Sequence, residues 1–175
     1  MQIPIIERRR IEAELAKLMF NALSERYGQA EATEILTDVI RKSAIAQGQQ
    51  FAKSEPGGTT LESFIKLYDL WTMNGALEIS VTRRDGTHFD FNVVRCKYAE
   101  MYREMGLGKI GHILSCNRDG TFCQGYDPKI KLKRTQTLME GASHCDFRYS
   151  YDAAENAASD SSPAINSAKA AGDKK

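Results

Sequence analysis

Apolar residues recur at helical spacing through the first half of the chain and change to alternation in the second, so helices are expected first and strands after them. Between Ile5 and Tyr27, the positions Ile11, Leu15, Leu18 and Ala22 share one helical face, widened by Met19 and Leu23, and Gly28 closes the segment. That stripe is expected to face a core. A second helix, about Ala30 to Gln47, directs Ile35, Leu36, Val39 and Ile40 inward. The run from Ser54 to Gly58 breaks the pattern, and Thr59 with Glu62 three residues on is a capping-box signature for a third helix. Its stripe of Leu61, Phe64, Tyr68 and Trp71 belongs in the interior.

From Leu77 the period drops to two. Leu77, Ile79 and Val81 alternate with polar neighbours, Arg84-Asp85-Gly86-Thr87 supplies a hairpin turn, and Phe89, Phe91 and Val93 alternate on the return. Cys96 ends that strand. A helix from Tyr98 to Met105 follows, then a shorter one, about Lys109 to Cys116, which brings His112 and Cys116 onto one face. Asp119 falls in a loop, Asn117-Arg118-Asp119-Gly120. The chain is extended again from Ile130 to Leu138. After a Glu140-Gly141 turn, Cys145, Phe147, Tyr149 and Tyr151 share one face of a strand, with His144, Asp146, Arg148 and Ser150 on the other. The expected fold is α+β, with N-terminal helices packed on an antiparallel sheet of about four strands, arranged as two hairpin-like pairs with helices between. One domain is expected over residues 1–151, helical over 1–73 and sheet-containing over 77–151. The Ala-, Ser-, Asn-, Asp- and Lys-rich stretch 152–175 reads as a disordered tail.

Composition narrows the function classes. A chain of 175 residues suits one domain with a proper core. A formal charge of +1 sets up no field for nucleic acid or an acidic membrane. The N-terminal stretch lacks the pattern of a secretory signal, and no window approaches the roughly 20 apolar residues of a spanning helix. Four cysteines without framework spacing point to reduced thiols in the cytoplasm. The partner expected is a small-molecule substrate. Surplus apolar positions on the helices leave room for a homo-oligomer.

The chemistry concentrates between Leu107 and Tyr149, which holds three of the four cysteines and two of the three histidines. Cys145, with His144 before it and Arg148 after it, is a candidate nucleophile. His144 points to the opposite strand face, so His112 is the better candidate base. Cys123 reads as a small buried hydrophobe and His88 as a solvated strand residue. A zinc site built from His112 and Cys116 with Cys123 or Cys145 is an alternative, but the spacing matches no common zinc module. No cofactor is expected.

Cys116-Asn117-Arg118-Asp119, Lys133-Arg134-Thr135, and above all Gly141 followed by Cys145-Asp146-Phe147-Arg148 resemble the family of L-2-aminothiazoline-4-carboxylate hydrolases. Cys96 after the hairpin and the step from Tyr102 to Gly106 fit it too. The resemblance is strongest from Leu77 to Tyr149. It implies opening of a cyclic amidine ring to N-carbamoyl-L-cysteine. On that reading Asp146 or Asp119 holds the cationic isothiourea edge, and Arg134 or Arg148 holds the substrate carboxylate. Cys116, Thr135 and His144 complete the binding set. The attack runs either through Cys145 as covalent nucleophile or through water activated by Asp119 or His112. A non-enzymatic small-molecule or zinc sensor is the alternative from another class.

Overall fold

The computed structural model describes residues 3–152 as an α+β fold with helices first and a four-stranded sheet after them. The expected tail therefore lies, Asp152 apart, outside the described residues. Helices α1 (Ile5–Tyr27) and α2 (Gln29–Lys53) meet at Gly28, whose φ of 87° suits a residue without a Cβ. Short helices α3 (Leu61–Leu67) and α4 (Asp69–Thr72) lead into β1 (Leu77–Arg84) and β2 (His88–Cys96). Helix α5 (Lys97–Glu104), a π turn (His112–Cys116) and α6 (Asn117–Tyr126) precede β3 (Ile130–Lys133) and β4 (Cys145–Tyr151). The strand order is β1-β2-β4-β3, antiparallel at every pairing. Among the described residues no helix is long and apolar enough to cross a membrane.

One face of the sheet packs a core against α3 and α6. Phe89, Phe91 and Val93 of β2 and Cys145, Phe147 and Tyr149 of β4 are buried together, in register. Phe91 and Phe147 stack at 4.9 Å, while Tyr68 meets Phe91 at 4.9 Å and Phe64 meets Tyr149 at 5.0 Å, both edge-on. Such pairs add to area burial that is worth about 1.5–3 kcal/mol per large side chain. Helix α6 crosses α2 with almost no space between backbones. A Cβ on Gly48 would strike the Phe122 carbonyl, and one on Gly125 would strike that of Ile45.

Several local expectations change. Ile11, Leu15, Leu18 and Met19 are exposed, and the inward face of α1 carries Ile5, Arg9, Ala13 and Phe20 instead. Val39 and Val81 are also half exposed, Val81 lying next to a register shift where β1 twists at the sheet edge. The cap of α3 is Thr60 rather than Thr59, closing a reciprocal box with Ser63, while the Thr59 hydroxyl donates to Asp127 at 3.1 Å. His112 and Cys116 lie in a π turn, whose wider pitch takes i and i+4 off a common face. Asp119 sits in the first turn of α6, not in a loop. Strand β3 stops at Lys133, because Thr135 and Gln136 turn their backbone N–H groups to the Asp146 carboxylate.

Candidate functional site

Where α6, the sheet and the inward face of α1 converge, two small adjoining cavities share the walls Arg9, Tyr68, Trp71, Arg118 and Asp119. The larger adds Cys96, Cys116, Arg134, Cys145 and Phe147. The smaller adds Gln47, Phe64, Phe122 and Tyr149. The lining is largely aromatic with a few charged groups, the composition of a small-ligand site.

Asp119 and Arg134 form its charged centre. Arg134 Nη1 donates to Asp119 Oδ2 at 2.5 Å, Nη2 donates to the Cys116 carbonyl at 3.0 Å, and the guanidinium lies over the Phe147 ring at 4.9 Å. Burial pushes the Asp119 carboxyl above the usual carboxylate range, against the opposing pull of Arg134. Burial works against the charge on Arg134 as well, but the Asp119 carboxylate outweighs it and keeps the guanidinium protonated. The cavity thus holds a carboxyl group whose charge is opposed by burial and favoured by Arg134.

All three cysteines of the larger cavity are raised by burial, Cys96 to about 11 and Cys116 further. Cys96 Sγ is occupied as the cap of α5, accepting from the Ala99 N–H at 3.4 Å. At Cys145 the Leu138 N–H donates to Sγ at 3.2 Å, and this bond and the Arg134 charge offset part of the burial. Cys145 is the most readily ionised of the three. Cys123 is buried, pushed up to about 12, and directs its thiol to the Asp119 carbonyl at 3.4 Å.

Other sequence-nominated residues sit elsewhere. Strand β4 is regular, so Asp146 and Arg148 point away from the face that bears Cys145. Asp146 accepts from Thr135 N at 2.9 Å, Thr135 Oγ1 at 2.7 Å and Gln136 N at 2.9 Å. Arg148 donates to the carbonyls of Phe91 and Phe147 and to Asn92 Oδ1, which ties β4 to β2. His144 packs with Gln136 and Ser143 beyond the strand end. Thr135 is spent on Asp146, and His112 lines neither cavity. These five residues are therefore removed from the cavity wall, while Cys116, Asp119, Arg134 and Cys145 are brought together on it. Among the described residues no group of three or more His, Cys, Asp or Glu side chains is arranged to hold a metal ion.

A family model for L-2-amino-thiazoline-4-carboxylic acid hydrolase matches residues 8–149. The chain belongs to that family. None of the curated proteins is similar enough in sequence to match it. Among solved structures it is similar to the phenol-responsive sensory domain of the transcription activator PoxR, crystallised with phenol. That likeness has 16% identity and a TM-score of 0.50, over 79% of this chain and 73% of that one, and it concerns the fold alone.

In this member of the hydrolase family the cavity also has walls that periodicity did not nominate. Tyr68 and Trp71, expected in the core stripe of the third helix, line the cavities as well. Arg9, Arg118 and Gln47 come from helix positions 3%, 7% and 5% exposed, where an uncharged side chain is the usual occupant. The one sequence signal for Arg9 is its place in a run of three arginines; its burial is visible only once α1 is seen to turn inward the face that bears Ile5, Arg9, Ala13 and Phe20.

Proposed function

We propose that the chain is a hydrolase that opens a cyclic amidine ring, converting L-2-aminothiazoline-4-carboxylate to N-carbamoyl-L-cysteine within one α+β domain. The observation that carries this reading is the convergence of the Cys145 thiol, the Asp119 carboxyl and the Arg134 guanidinium on one small cavity in a member of that family. Asp119 Oδ2 is taken by Arg134, and Oδ1 is assigned to the substrate or to water. Arg134 acts through Asp119 as a positioning residue.

The amidinium carbon is electron-poor and planar. Cys145 gives its proton to the Asp119 carboxylate as its sulfur bonds to that carbon, and the ring carbon–sulfur bond then breaks, with Asp119 returning the proton to the leaving sulfur. Water next adds to the same carbon, losing a proton to Asp119. The bond to Cys145 breaks, the thiol recovers its proton, and the proton that the amidinium brought leaves to solvent. A thiol raised by burial needs this coupled transfer, because little free thiolate exists at neutral pH.

Incubation of purified protein with the thiazoline, followed by detection of free thiol and ureido product, tests the activity. No product sinks the substrate reading. Cys145→Ser at full rate would move the attack to water activated by Asp119. A second reading, a domain that binds a small molecule without converting it, is favoured by the enclosed aromatic lining of Phe64, Tyr68, Trp71, Phe122 and Tyr149. The similar fold of PoxR is described as phenol-responsive. Tight binding of the thiazoline with no turnover would favour that reading.

A further inference from the structure

The two adjoining cavities together carry an unbalanced charge. Arg9 and Arg118, both more than nine-tenths buried, share a single carboxylate: Arg9 Nη1 donates to Glu12 Oε2 at 2.7 Å and Arg118 Nη2 donates to the same oxygen at 3.2 Å. The other contacts of the pair are neutral. Arg118 donates to the Leu114 carbonyl at 2.8 Å and to Ser43 Oγ at 3.4 Å, and Arg9 Nη2 donates to Gln47 Oε1 at 2.8 Å. Asp119, which also lines this cavity, is taken by Arg134, so across the two adjoining cavities three guanidiniums, Arg9, Arg118 and Arg134, face two carboxylates, Glu12 and Asp119, and one positive charge is surplus in the interior, a costly arrangement unless something compensates it. Burial and the neighbouring Arg9 lower Arg118 to about 10, the expected response to that surplus.

Gln47 adds an independent sign. Its Oε1 is fixed toward Arg9, which directs Nε2 away, and that nitrogen is buried with no acceptor among the described residues. An amide N–H buried without an acceptor is destabilising. Arg9, Arg118 and Gln47 all line the cavity, and the two arginines also line the adjoining one that holds Cys145 and Asp119.

We infer that Arg9, Arg118 and Gln47 form the seat for the carboxylate of the ligand. The seat takes a monoanion, since one charge is surplus and the space is small and aromatic. It also relieves Arg134 and Arg148 of that role: Arg134 is committed to Asp119, and Arg148 lies on the other side of the sheet. The ligand would lie with its carboxylate toward α1 and α2 and its reacting carbon toward Cys145. The identity of the rest of the ligand rests on the proposed function; the anion seat rests on the charge count and on Gln47.

Gln47→Glu tests it, because the new carboxylate would occupy the seat from within. The variant is expected to melt higher than the wild type, and its KM for L-2-aminothiazoline-4-carboxylate to rise roughly 30-fold, the loss of one hydrogen-bonded charge pair. For 2-amino-2-thiazoline, the same ring without a carboxylate, the change should stay within about threefold, since no charge pair is lost. Equal effects on the two compounds, or a fall in melting temperature, overturn the seat. If neither ring compound binds, the substrate reading falls by itself and the seat is judged with benzoate against its neutral isostere benzamide. Benzoate alone should raise the melting temperature of the wild type and not of Gln47→Glu. Equal response to benzoate and benzamide overturns the proposal.

Discussion

Asp146→Asn should cost stability and leave turnover in place, although Asp146 belongs to the run that most resembles the family. Its carboxylate receives three hydrogen bonds of 2.7–2.9 Å from Thr135 and Gln136, fixing the segment after β3 against β4. Burial alone would raise its pKa, and these bonds overcome that and hold it down to about 2, against 3.8 for an ordinary aspartate. At about 1.4 kcal/mol per pH unit the difference sets a ceiling near 2.5 kcal/mol. The group is partly open to solvent, so roughly 1–1.5 kcal/mol is expected to survive screening. The folded pKa is depressed, so this contribution is fully present above the unfolded value near 4 and is lost as pH falls through about 2. Urea unfolding followed by the fluorescence of the single tryptophan, Trp71, measures it at several pH values. The gap between wild type and variant should be constant from pH 5 to 7 and shrink below about 4, because a protonated Asp146 and an asparagine offer the same acceptors. A gap that is absent at pH 7 or unchanged at pH 2.5 would refute the reasoning. So would a drop in kcat of tenfold or more in a folded variant.

Gly125→Ala should destabilise by about 3 kcal/mol, the upper end for overpacking, since the added methyl meets the rigid Ile45 carbonyl; thermal unfolding reads it. Arg134→Met removes the cation that holds Asp119 down, so the acid limb of the kcat/KM profile should move to higher pH and kcat should fall by about 100-fold, within the range for lost acid–base function. Cys145 should react with iodoacetamide more slowly than free cysteine at pH 7 and speed up with rising pH, as followed by mass spectrometry. Fast labelling at pH 7 would contradict its burial.

The fold class was legible because each change of period is real: alternation marks the strands, and Phe89, Phe91, Val93, Cys145, Phe147 and Tyr149 do fill one face of the sheet. The third helix stripe held for the same reason. Helix α1 was misread by the rule that succeeded elsewhere. Its widest apolar stripe, Ile11, Leu15 and Leu18, faces out, and the side that faces in must be narrow at Ala13 and charged at Arg9. Periodicity finds the most apolar face, and a helix that lends a charged group to a cavity breaks the link between apolar and buried. The π turn at His112–Cys116 was invisible for a related reason, since a one-residue widening leaves no compositional trace.

The Cys-Asp-Phe-Arg run shows how a family marker divides its work. Strand alternation sends Cys145 and Phe147 to the cavity and Asp146 and Arg148 to the other side. The inward pair supplies a thiol and the ring under Arg134. The outward pair supplies the bonds that fix the β3–β4 connection and join β4 to β2. Leu138, whose N–H reaches Cys145, lies on that same connection. A change at Asp146 can thus reach the thiol only by loosening the connection, and its effect on rate should scale with lost stability. The helical half is no passive support either: Arg9, Gln47, Tyr68 and Trp71 come from it and Asp119, Arg134 and Cys145 from the other, so the site exists only where both halves of the pattern meet.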